Sequence, residues 1–273
     1  MSRVPRIRSA GLPGRETSAD TIPLVAVAHG SRDPRAAVTI EAVLAEVRGA
    51  RPELHATAAY LDHTAPTLPQ ALYGLTSSAP GQTGPYTVVV LPLLLTEAYH
   101  SRVDIPAALD AVSARHPRVR VRYGPALGPH PLLLRALERR LAEAGVATGD
   151  PDTAVVLVSA GSSDRRANDV IARLARRWAR ERHWWSVTAA YASAAFPTPE
   201  QEVARLRRAG APRIAVAPYL LAPGHFSDKI HEAALAAGAE TVAPVLGATP
   251  ELTTVILHRY AQALRPRGLP IPA

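Results

Sequence analysis

The stretch LVAVAHGSRD, residues 24–33, decides the fold, because its second part recurs later in the chain with the same neighbours. VAHGSRD at residues 27–33 returns as VSAGSSD at residues 158–164. Three further segments repeat in the same order: AYLDHTAPT (59–67) with AYASAAFPT (190–198), LPLLLTEAYHSRVDIP (91–106) with APYLLAPGHFSDKI (217–230), and GPALGPHP (124–131) with APVLGATP (243–250). These ordered matches indicate a single structural unit that occurs twice.

Each copy alternates short apolar runs with longer stretches of helical periodicity. The expected strands lie near 23–28, 54–61, 86–94 and 118–123 in the first copy, and near 153–159, 186–192, 212–220 and 240–245 in the second. The expected helices of the first copy lie near 35–49, 67–77, 102–115 and 131–145. Because the hydrophobicity of the strands is continuous rather than alternating, both faces of each sheet should be covered, which is typical of parallel βαβ units.

We therefore predict an α/β fold with two doubly wound parallel-sheet domains, produced by internal duplication and related by a pseudo-twofold axis. The first should cover residues 21–147 and the second residues 152–268, joined by VATGDPDT at 146–153. Residues 1–20 are polar and are expected to form a disordered tail. Right-handed crossovers place the loops after the strands on one edge of each sheet, so a cleft between the domains should face the carboxyl ends of both sheets.

The composition limits the classes of function. With 273 residues, 47% of them hydrophobic, the chain can bury a sizeable core. The absence of cysteine excludes disulfides, thiolate zinc sites and a cysteine nucleophile, so any metal must be held by nitrogen and oxygen. No apolar segment approaches the roughly 20 residues needed to cross a bilayer, and the amino terminus lacks the apolar centre of a secretory signal. We expect a cytoplasmic protein without a membrane partner.

The net charge of +8 comes almost entirely from arginine. The arginines are scattered over helical segments such as IARLARRWARER rather than clustered with aromatic residues, so nucleic acid is not an expected partner. Solvated helix faces are one explanation of this charge. A basic cleft that attracts a polyanionic small molecule is the other.

His29 and His100 each follow an apolar run that has the character of a buried strand, and Asp62 follows a third such run, ATAAYL. The carboxyl ends of parallel strands meet at one edge, where open α/β sheets bind their ligands, so these three side chains should lie close together. Two imidazoles and a carboxylate can bind a divalent first-row metal, and each can accept a proton. His29, His100 and Asp62 are therefore the predicted catalytic and metal-binding residues.

Each of these residues also has a purely structural explanation. A histidine after a strand can hold its loop by a hydrogen bond, and an aspartate in LDHTAP suits a turn. His63 stands beside Asp62 as an alternative side chain. Four residues after the two histidines could bind carboxylates of a ligand, although helix capping and surface charge explain them equally well: Ser31, Arg32, Ser101 and Arg102.

The second copy lacks most of this polar set. Ala160 stands in the place of His29 and Ser193 in that of Asp62, and only His225 remains near the place of His100. Residues needed only for the fold should occur in both copies, so the asymmetry favours one chemically competent site, in the first copy. His225 either reaches across the cleft or caps its own loop, and capping is the simpler expectation.

The sequence resembles the class II tetrapyrrole chelatases, specifically the sirohydrochlorin chelatase group in its two-repeat form. The resemblance rests on AHGSRD, AYLDHTAPT and PLLLTEAYHSRVDIP, and covers residues 22–145 well and 153–265 as a degenerate duplicate. It implies two flavodoxin-like halves around a cleft. The two metal-site histidines of the family match His29 and His100, and its acidic residue, usually a glutamate, falls on Asp62.

The resemblance implies a lyase that inserts a divalent metal into sirohydrochlorin and releases two pyrrole protons. Fe2+, in siroheme biosynthesis, is the preferred substrate metal, with Co2+ or Ni2+ as alternatives. An arginine-lined cleft should attract the carboxylates of the tetrapyrrole. Neither GxGxxG nor a phosphate loop occurs, so no cofactor is expected beyond the substrate metal. The chain is expected to be a monomer or a homodimer.

Three functions compete at this point. The first is the ferrochelatase, with the cobaltochelatase of anaerobic cobalamin biosynthesis as its near variant. The second is a non-catalytic carrier of tetrapyrrole or metal, which would need the same cleft. The third is an unrelated α/β hydrolase that uses Ser31 with a histidine, but the chain has no GxSxG elbow and no evident triad order.

Overall fold

The computed structural model describes residues 21–77, 85–96 and 104–265 of the chain. The predicted disordered tail, residues 1–20, lies outside the described residues, as do residues 266–268 at the end of the second predicted domain. Among the helices of the described part, none is long and apolar enough to cross a membrane.

Strands and helices alternate along both copies. The first copy contains β1 (Leu24–Ala28), α1 (Pro34–Ala50), β2 (Ala56–Tyr60), α2 (Leu68–Ser77), β3 (Tyr86–Pro92), α3 (Ile105–Arg115), β4 (Val119–Tyr123) and α4 (Pro131–Glu143). The second contains β5 (Thr153–Ser159), α5 (Arg165–Glu181), β6 (Ser186–Tyr191), α6 (Pro199–Arg208), β7 (Arg213–Pro218), α7 (His225–Ala236), β8 (Thr241–Val242) and α8 (Pro250–Leu264).

The strands expected from the sequence are all present, with ends that differ by a few residues. The largest difference is β8, which is expected over 240–245 and extends only over Thr241–Val242. This strand pairs with β7 alone, at the edge of its sheet. Pro244 follows closely and has no N–H to donate to the ladder, which accounts for the early end of the strand.

The strands form two parallel four-stranded sheets with the same order, β2-β1-β3-β4 and β6-β5-β7-β8. In the first sheet Ala28 is the partner of Tyr60, so β1 and β2 end at the same level. In the second sheet Ser159 and Tyr191 are partners in the same way. The predicted α/β fold, with two doubly wound parallel sheets related by duplication, is confirmed.

The first helix of each copy begins at the same sequence signal. Asp33 precedes α1 and accepts a hydrogen bond from the backbone N–H of Arg35. Asp164 precedes α5 and accepts one from Arg166. An aspartate at the N-cap satisfies a backbone N–H that the helix itself leaves unpaired, and its charge is favourable at the positive end of the helix dipole. These caps fix where the chain turns from strand into helix, and therefore the length of the loop between them.

The two sheets share a hydrophobic core, because the last helix of each copy packs on the other copy. Helix α4 contacts β7, whereas α8 contacts β3, β4 and α1. The two helices also contact each other, and their buried side chains belong to one cluster that spans both copies: Leu133, Leu134, Leu137, Leu141, Leu252, Val255 and Ile256. Separate clusters lie under α2 and α3 in the first copy and under α6 and α7 in the second. The copies are therefore joined by a continuous apolar interior.

A buried carboxylate also connects the two copies. Glu138 on α4 is only 6% exposed. Its Oε1 accepts a hydrogen bond from the indole Nε1 of Trp178 at 3.0 Å, and its two oxygens accept from the guanidinium of Arg182 at 2.9 and 3.1 Å. Arg135, one helical turn earlier, donates to the same carboxylate at 2.8 Å. The buried charge is thus compensated by opposite charge and by hydrogen bonds, as its desolvation requires.

Replacing this carboxylate tests its contribution to stability. Glu138→Ala leaves the buried indole N–H and two guanidinium groups without their acceptor, so we expect the free energy of unfolding to fall by about 2–4 kcal/mol. Glu143→Ala removes a half-exposed partner of Arg140 on the same helix and should cost less than about 1 kcal/mol. Urea unfolding followed by circular dichroism measures both values. Equal losses in the two variants would contradict this account.

Candidate functional site

The carboxyl ends of the two sheets enclose a large cleft. Its volume is about 1080 Å³, and loops from both copies line it. The first copy contributes the loops after β1, β2 and β3, with His29, His63 and Leu95 among their residues. The second copy contributes the loops after β5 and β7, with Ala160 and Leu221 among theirs. A cleft at the carboxyl ends of the strands, as expected from the repeat, is therefore present.

The walls of the cleft are largely apolar. Each copy contributes one short segment to the lining: residues 93–95 after β3 and residues 219–221 after β7. Five of these six residues are leucine. Tyr219 is buried, and its hydroxyl donates to the backbone oxygen of Leu95 at 3.3 Å, which connects the two walls. Burial raises the pKa of the Tyr219 phenol far above its ordinary value, so this hydroxyl keeps its proton and remains a donor.

The charged residues that line the cleft differ from those expected from the sequence. Among the described residues that line the cleft, Arg32 is the single arginine, and Asp33 and Asp228 accompany it. The expected arginine-lined cleft is therefore not found in this part of the chain. The physical reason is the tightness of the loops that follow the strands, which are built mainly from small and apolar residues, while the arginines lie along the helices.

Two loops of the first copy are joined by hydrogen bonds. The N–H of Asp62 donates to the carbonyl oxygen of His29 at 3.0 Å, which extends the pairing of β1 and β2 beyond the strands. The hydroxyl of Thr64 donates to the carbonyl oxygen of Ser31 at 3.0 Å and accepts from the Ser31 N–H at 3.3 Å. Gly30 has a φ of +90°, and a Cβ at this position would lie 1.7 Å from the carbonyl oxygen of Asp62. The loop with His29 and the loop with Asp62 therefore form one unit.

His29 follows β1 directly and lines the cleft with an exposed side chain. Its Nδ1 is 3.3 Å from the carbonyl oxygen of Gly30. A neutral ring that donates to this carbonyl has its hydrogen on Nδ1 and its lone pair on Nε2. A neutral imidazole in this tautomer can bind a cation or accept a proton through Nε2.

Asp62 lies at the same edge, but its carboxylate is turned toward the next residue. Oδ1 accepts a hydrogen bond from the backbone N–H of His63 at 2.8 Å, and Oδ2 is 3.2 Å from the ring Nε2 of His63. The side chain of Asp62 is 62% exposed, whereas that of His63 is 34% exposed. His63 lines the cleft and Asp62 does not. The structure thus brings His29 and His63 to the cleft and pairs Asp62 with His63.

The remaining predicted site residues divide into two groups. Ser31 and Arg32 line the cleft, and the Ser31 hydroxyl accepts a hydrogen bond from the N–H of Asp33 at 3.0 Å. His100, Ser101 and Arg102 lie outside the described residues. Within residues 21–77, 85–96 and 104–265, no three His, Asp or Glu side chains are grouped as metal ligands would be.

The equivalent loops of the second copy have the same backbone with different side chains. The Ser193 N–H donates to the carbonyl oxygen of Ala160 at 2.9 Å. The glycine after Ala160 has a φ of +85°, close to that of its counterpart in the first copy. Because the backbone is retained, the missing imidazole and carboxylate are not the result of a different loop shape. The corresponding pairs are His29 and Ala160, Gly30 and Gly161, Asp62 and Ser193, and His63 and Ala194.

His225 lines the cleft from the second copy, as the first residue of α7. Its ring packs against Phe226, with centroids 5.8 Å apart. The N-cap of the helix is Gly224, whose N–H donates to the hydroxyl of Ser227 at 2.9 Å. The expectation that His225 caps its loop is therefore wrong, because a glycine and a serine make that contact.

A salt bridge across the cleft is the feature that sequence patterns do not reveal. Arg35 on α1 donates to the carboxylates of Asp33, at the start of its own helix, and of Asp228 on α7. Asp228 lies 193 positions later in the chain, so no periodicity or motif relates it to Arg35. The hydrogen bonds from Arg35 hold the pKa of both carboxyl groups below the ordinary value.

The comparison with known sequences gives matches to both copies. The family model described as CbiX matches residues 23–144 and again residues 154–263. A sirohydrochlorin cobaltochelatase of Priestia megaterium is 29% identical over 189 residues; the match covers 66% of this chain and 62% of the relative, less than two thirds of its length. A sirohydrochlorin ferrochelatase of the same organism is 28% identical over 213 residues, which cover 77% of this chain and 78% of the relative.

The comparison with solved structures extends over most of the chain. SirB from Bacillus subtilis, solved with Fe3+, has a TM-score of 0.74 at 24% sequence identity. The match covers 89% of this chain and 95% of that chain. At this level of identity the likeness establishes a common fold.

Gly30→Ala tests the close approach of the two loops. The added methyl group would meet the carbonyl of Asp62, and a positive φ is unfavourable for a residue with a Cβ, so the free energy of unfolding should fall by at least about 2 kcal/mol. Gly49→Ala, in α1 with no atom within 4 Å of the new Cβ, should instead raise it by about 0.5–1 kcal/mol. Thermal unfolding of the two variants provides the comparison. Unchanged stability of Gly30→Ala would show that the loops are farther apart.

Arg35→Met tests the salt bridge across the cleft. Loss of the guanidinium should raise the pKa of Asp228 toward the ordinary value, because the largest cause of its lowered pKa is the hydrogen bond from Arg35. A lowered pKa means that the pair stabilises the fold above the unfolded pKa of 3.8 and that this contribution is lost as the pH falls through the folded value. NMR titration of the aspartate carboxyl carbons measures the change. An Asp228 pKa that does not move would refute the contact.

Proposed function

The chain belongs to the CbiX family, whose model matches both of its copies, and we propose that it is a sirohydrochlorin chelatase, an enzyme that inserts a divalent metal into a tetrapyrrole. The observation that carries the proposal is the cleft of about 1080 Å³ at the carboxyl ends of both sheets, with His29 in its lining. Two relatives of similar sequence bear the names of sirohydrochlorin chelatases, one for cobalt and one for iron.

The cleft suits a large, flat ligand with charged edges. Its volume of about 1080 Å³ slightly exceeds the range of about 300–1,000 Å³ that is usual for small-molecule sites. The leucine-rich walls, residues 93–95 and 219–221, would contact the two faces of the macrocycle. Their apolar surface excludes water, which strengthens the polar contacts made around it. The residues that we propose to meet the carboxylates of the substrate are Ser31, Arg32, Ser101 and Arg102.

Metal insertion exchanges one divalent cation for two pyrrole protons, so the site must hold the metal and remove the protons. We assign the first task to His29 and His100, because imidazole nitrogen binds Fe2+ and Co2+ well and can be replaced by the nitrogens of the ring. The protons pass to an imidazole or to Asp62, directly or through His63, since imidazole and carboxylate groups are the usual proton acceptors in general base catalysis. The metal keeps its oxidation state throughout.

We propose Fe2+ as the metal used in the cell and siroheme biosynthesis as the context. A single site in one of two copies is consistent with the simplest role, insertion of one metal into one substrate. Cobalt insertion, in anaerobic cobalamin biosynthesis, uses the same donors, because nitrogen and oxygen ligands do not separate these two ions strongly. This chain is about equally similar to a relative named a cobaltochelatase and to one named a ferrochelatase, at 29% and 28% identity.

An anaerobic insertion assay tests the proposed activity. Purified full-length protein is mixed with Fe2+ or Co2+ and sirohydrochlorin, and the absorbance of the ring is followed against a control without protein. Faster formation of the metallated ring supports the enzyme. Binding of the tetrapyrrole without faster insertion would identify a carrier instead, and neither binding nor insertion would exclude both.

His29→Ala and His100→Ala test the assignment of the metal-holding residues. Each should reduce the acceleration to the level of the protein-free control while circular dichroism stays unchanged, because each removes an imidazole that we propose holds the metal. His225→Ala, on the opposite side of the cleft, should have a much smaller effect. A complete loss of activity in His225→Ala would overturn the assignment of the chemistry to the first copy.

A further inference from the structure

Phenylalanine does not contribute to the core of this protein. The chain contains two phenylalanines, Phe196 and Phe226, and they are 78% and 40% exposed. Phenylalanine is among the residue types that are most often buried, so an exposed one is informative when it lies in a binding cleft. Phe226 lines the cleft, whereas Phe196 does not. The cleft therefore contains an aromatic ring that the packing of the protein leaves partly uncovered.

Phe226 belongs to a continuous wall that the second copy contributes to the cleft. Residues 219–228 all line the cleft, from the end of β7 into the first turn of α7. Tyr219, at the start of this segment, is 2% exposed, whereas Phe226 is 40% exposed. The wall thus leads from the buried interior toward the mouth of the cleft, and Phe226 lies on its outer part.

Two contacts hold the helical turn that carries Phe226. Asp228, two residues later, accepts hydrogen bonds from Arg35 of the first copy. The ammonium group of Lys229 donates to the carbonyl oxygen of Ala192, in the loop after β6, at 3.1 Å. The turn is therefore tied to the first copy and to a neighbouring loop of its own copy. An aromatic surface that is already in place loses little conformational entropy when a ligand binds to it.

The first copy shows that the repeat does not require an aromatic residue at this position. Ile105 and Ile230 are both fully buried, at the start of the helix that follows the third strand of each copy. With these two isoleucines aligned, Phe226 falls on Ser101, because each lies four residues before its isoleucine. A serine occupies the equivalent position of the sequence, so the aromatic ring is a property of the second copy.

From these observations we propose that Phe226 contacts the substrate, packing its ring on the face of the tetrapyrrole and so fixing its orientation in the cleft. The inference rests on the proposed function, which provides a flat, conjugated ligand. Stacked aromatic surfaces attract each other beyond what the burial of apolar area contributes. The second copy, which lacks the imidazole of His29, then has a role of its own: it holds the face of the ring, while polar residues of the first copy meet the carboxylates at its edge.

Binding of sirohydrochlorin in the absence of metal tests the proposal. Full-length protein is titrated anaerobically, and the Kd is measured from the absorbance of the tetrapyrrole. Phe226→Ala should raise the Kd by about tenfold, because it removes both the stacking contact and the apolar area of the ring. Phe226→Tyr keeps an aromatic face and should stay within about twofold of the wild type. Circular dichroism of both variants should be unchanged, since the side chain is partly exposed.

Phe196→Ala is the matched control. It removes the same side chain from a more exposed position of the same copy, outside the lining of the cleft, and should leave the Kd unchanged. In the Co2+ insertion assay, Phe226→Ala should raise the KM and leave the kcat nearly unchanged, because a phenyl ring neither binds the metal nor accepts a proton. A wild-type Kd in Phe226→Ala, an equal loss in Phe196→Ala, or a Phe226→Tyr as weak as Phe226→Ala would overturn the proposal.

The same measurements distinguish this inference from the proposed function. A wild-type protein that binds sirohydrochlorin without accelerating insertion, with weaker binding in Phe226→Ala, would refute the chelatase and leave the contact standing. A wild-type protein that accelerates insertion, with Phe226→Ala unchanged in Kd and KM, would refute the contact and leave the chelatase standing. A wild-type protein that does not bind sirohydrochlorin would overturn both.

Discussion

The hydrogen bond from the Asp62 N–H to the carbonyl oxygen of His29 is the contact on which the arrangement of the site depends. It continues the pairing of β1 and β2 past their ends, and it is possible only because Gly30 presents no side chain to the carbonyl of Asp62. The two loops therefore move as one piece of the sheet edge. The backbone ladder therefore fixes where the side chains of His29 and Asp62 leave the edge of the sheet.

The cleft also depends on how the two copies are joined. Helices α4 and α8 each pack on the other copy, and the buried carboxylate of Glu138 on α4 receives hydrogen bonds from Trp178 and Arg182 of the second copy. Nearer the site, Tyr219 of the second copy donates to Leu95 of the first. The two sheet edges are thus held opposite each other by buried contacts, whereas the salt bridges that Arg35 makes with Asp228 and Arg139 makes with Glu251 are partly exposed to solvent.

Much of the fold could be predicted from the sequence because its signals are local. Continuous apolar runs predict buried parallel strands, aspartate caps mark the starts of α1 and α5, and the repeat relates the two copies. The position of His29 after β1 follows from the same reasoning. The direction of the Asp62 carboxylate could not be predicted, because it depends on the left-handed backbone of His63, which a sequence pattern does not encode. The packing of α4 and α8 on the opposite copy depends on how the two sheets approach each other, and local sequence does not determine that approach. The role of His100 stays a prediction, since that residue lies outside the described part of the chain.

Because α4 and α8 each pack on the opposite copy, cleavage of the chain between the two copies would affect both of them. If the backbone were cleaved in the turn between α4 and β5, the amino-terminal fragment would lose α8, the helix that contacts β3 and β4, and the carboxyl-terminal fragment would lose α4, which contacts β7. Each fragment would then expose a broad apolar surface that matches the one left bare on the other. The hydrophobic effect would therefore favour recombination of the two pieces into the native arrangement.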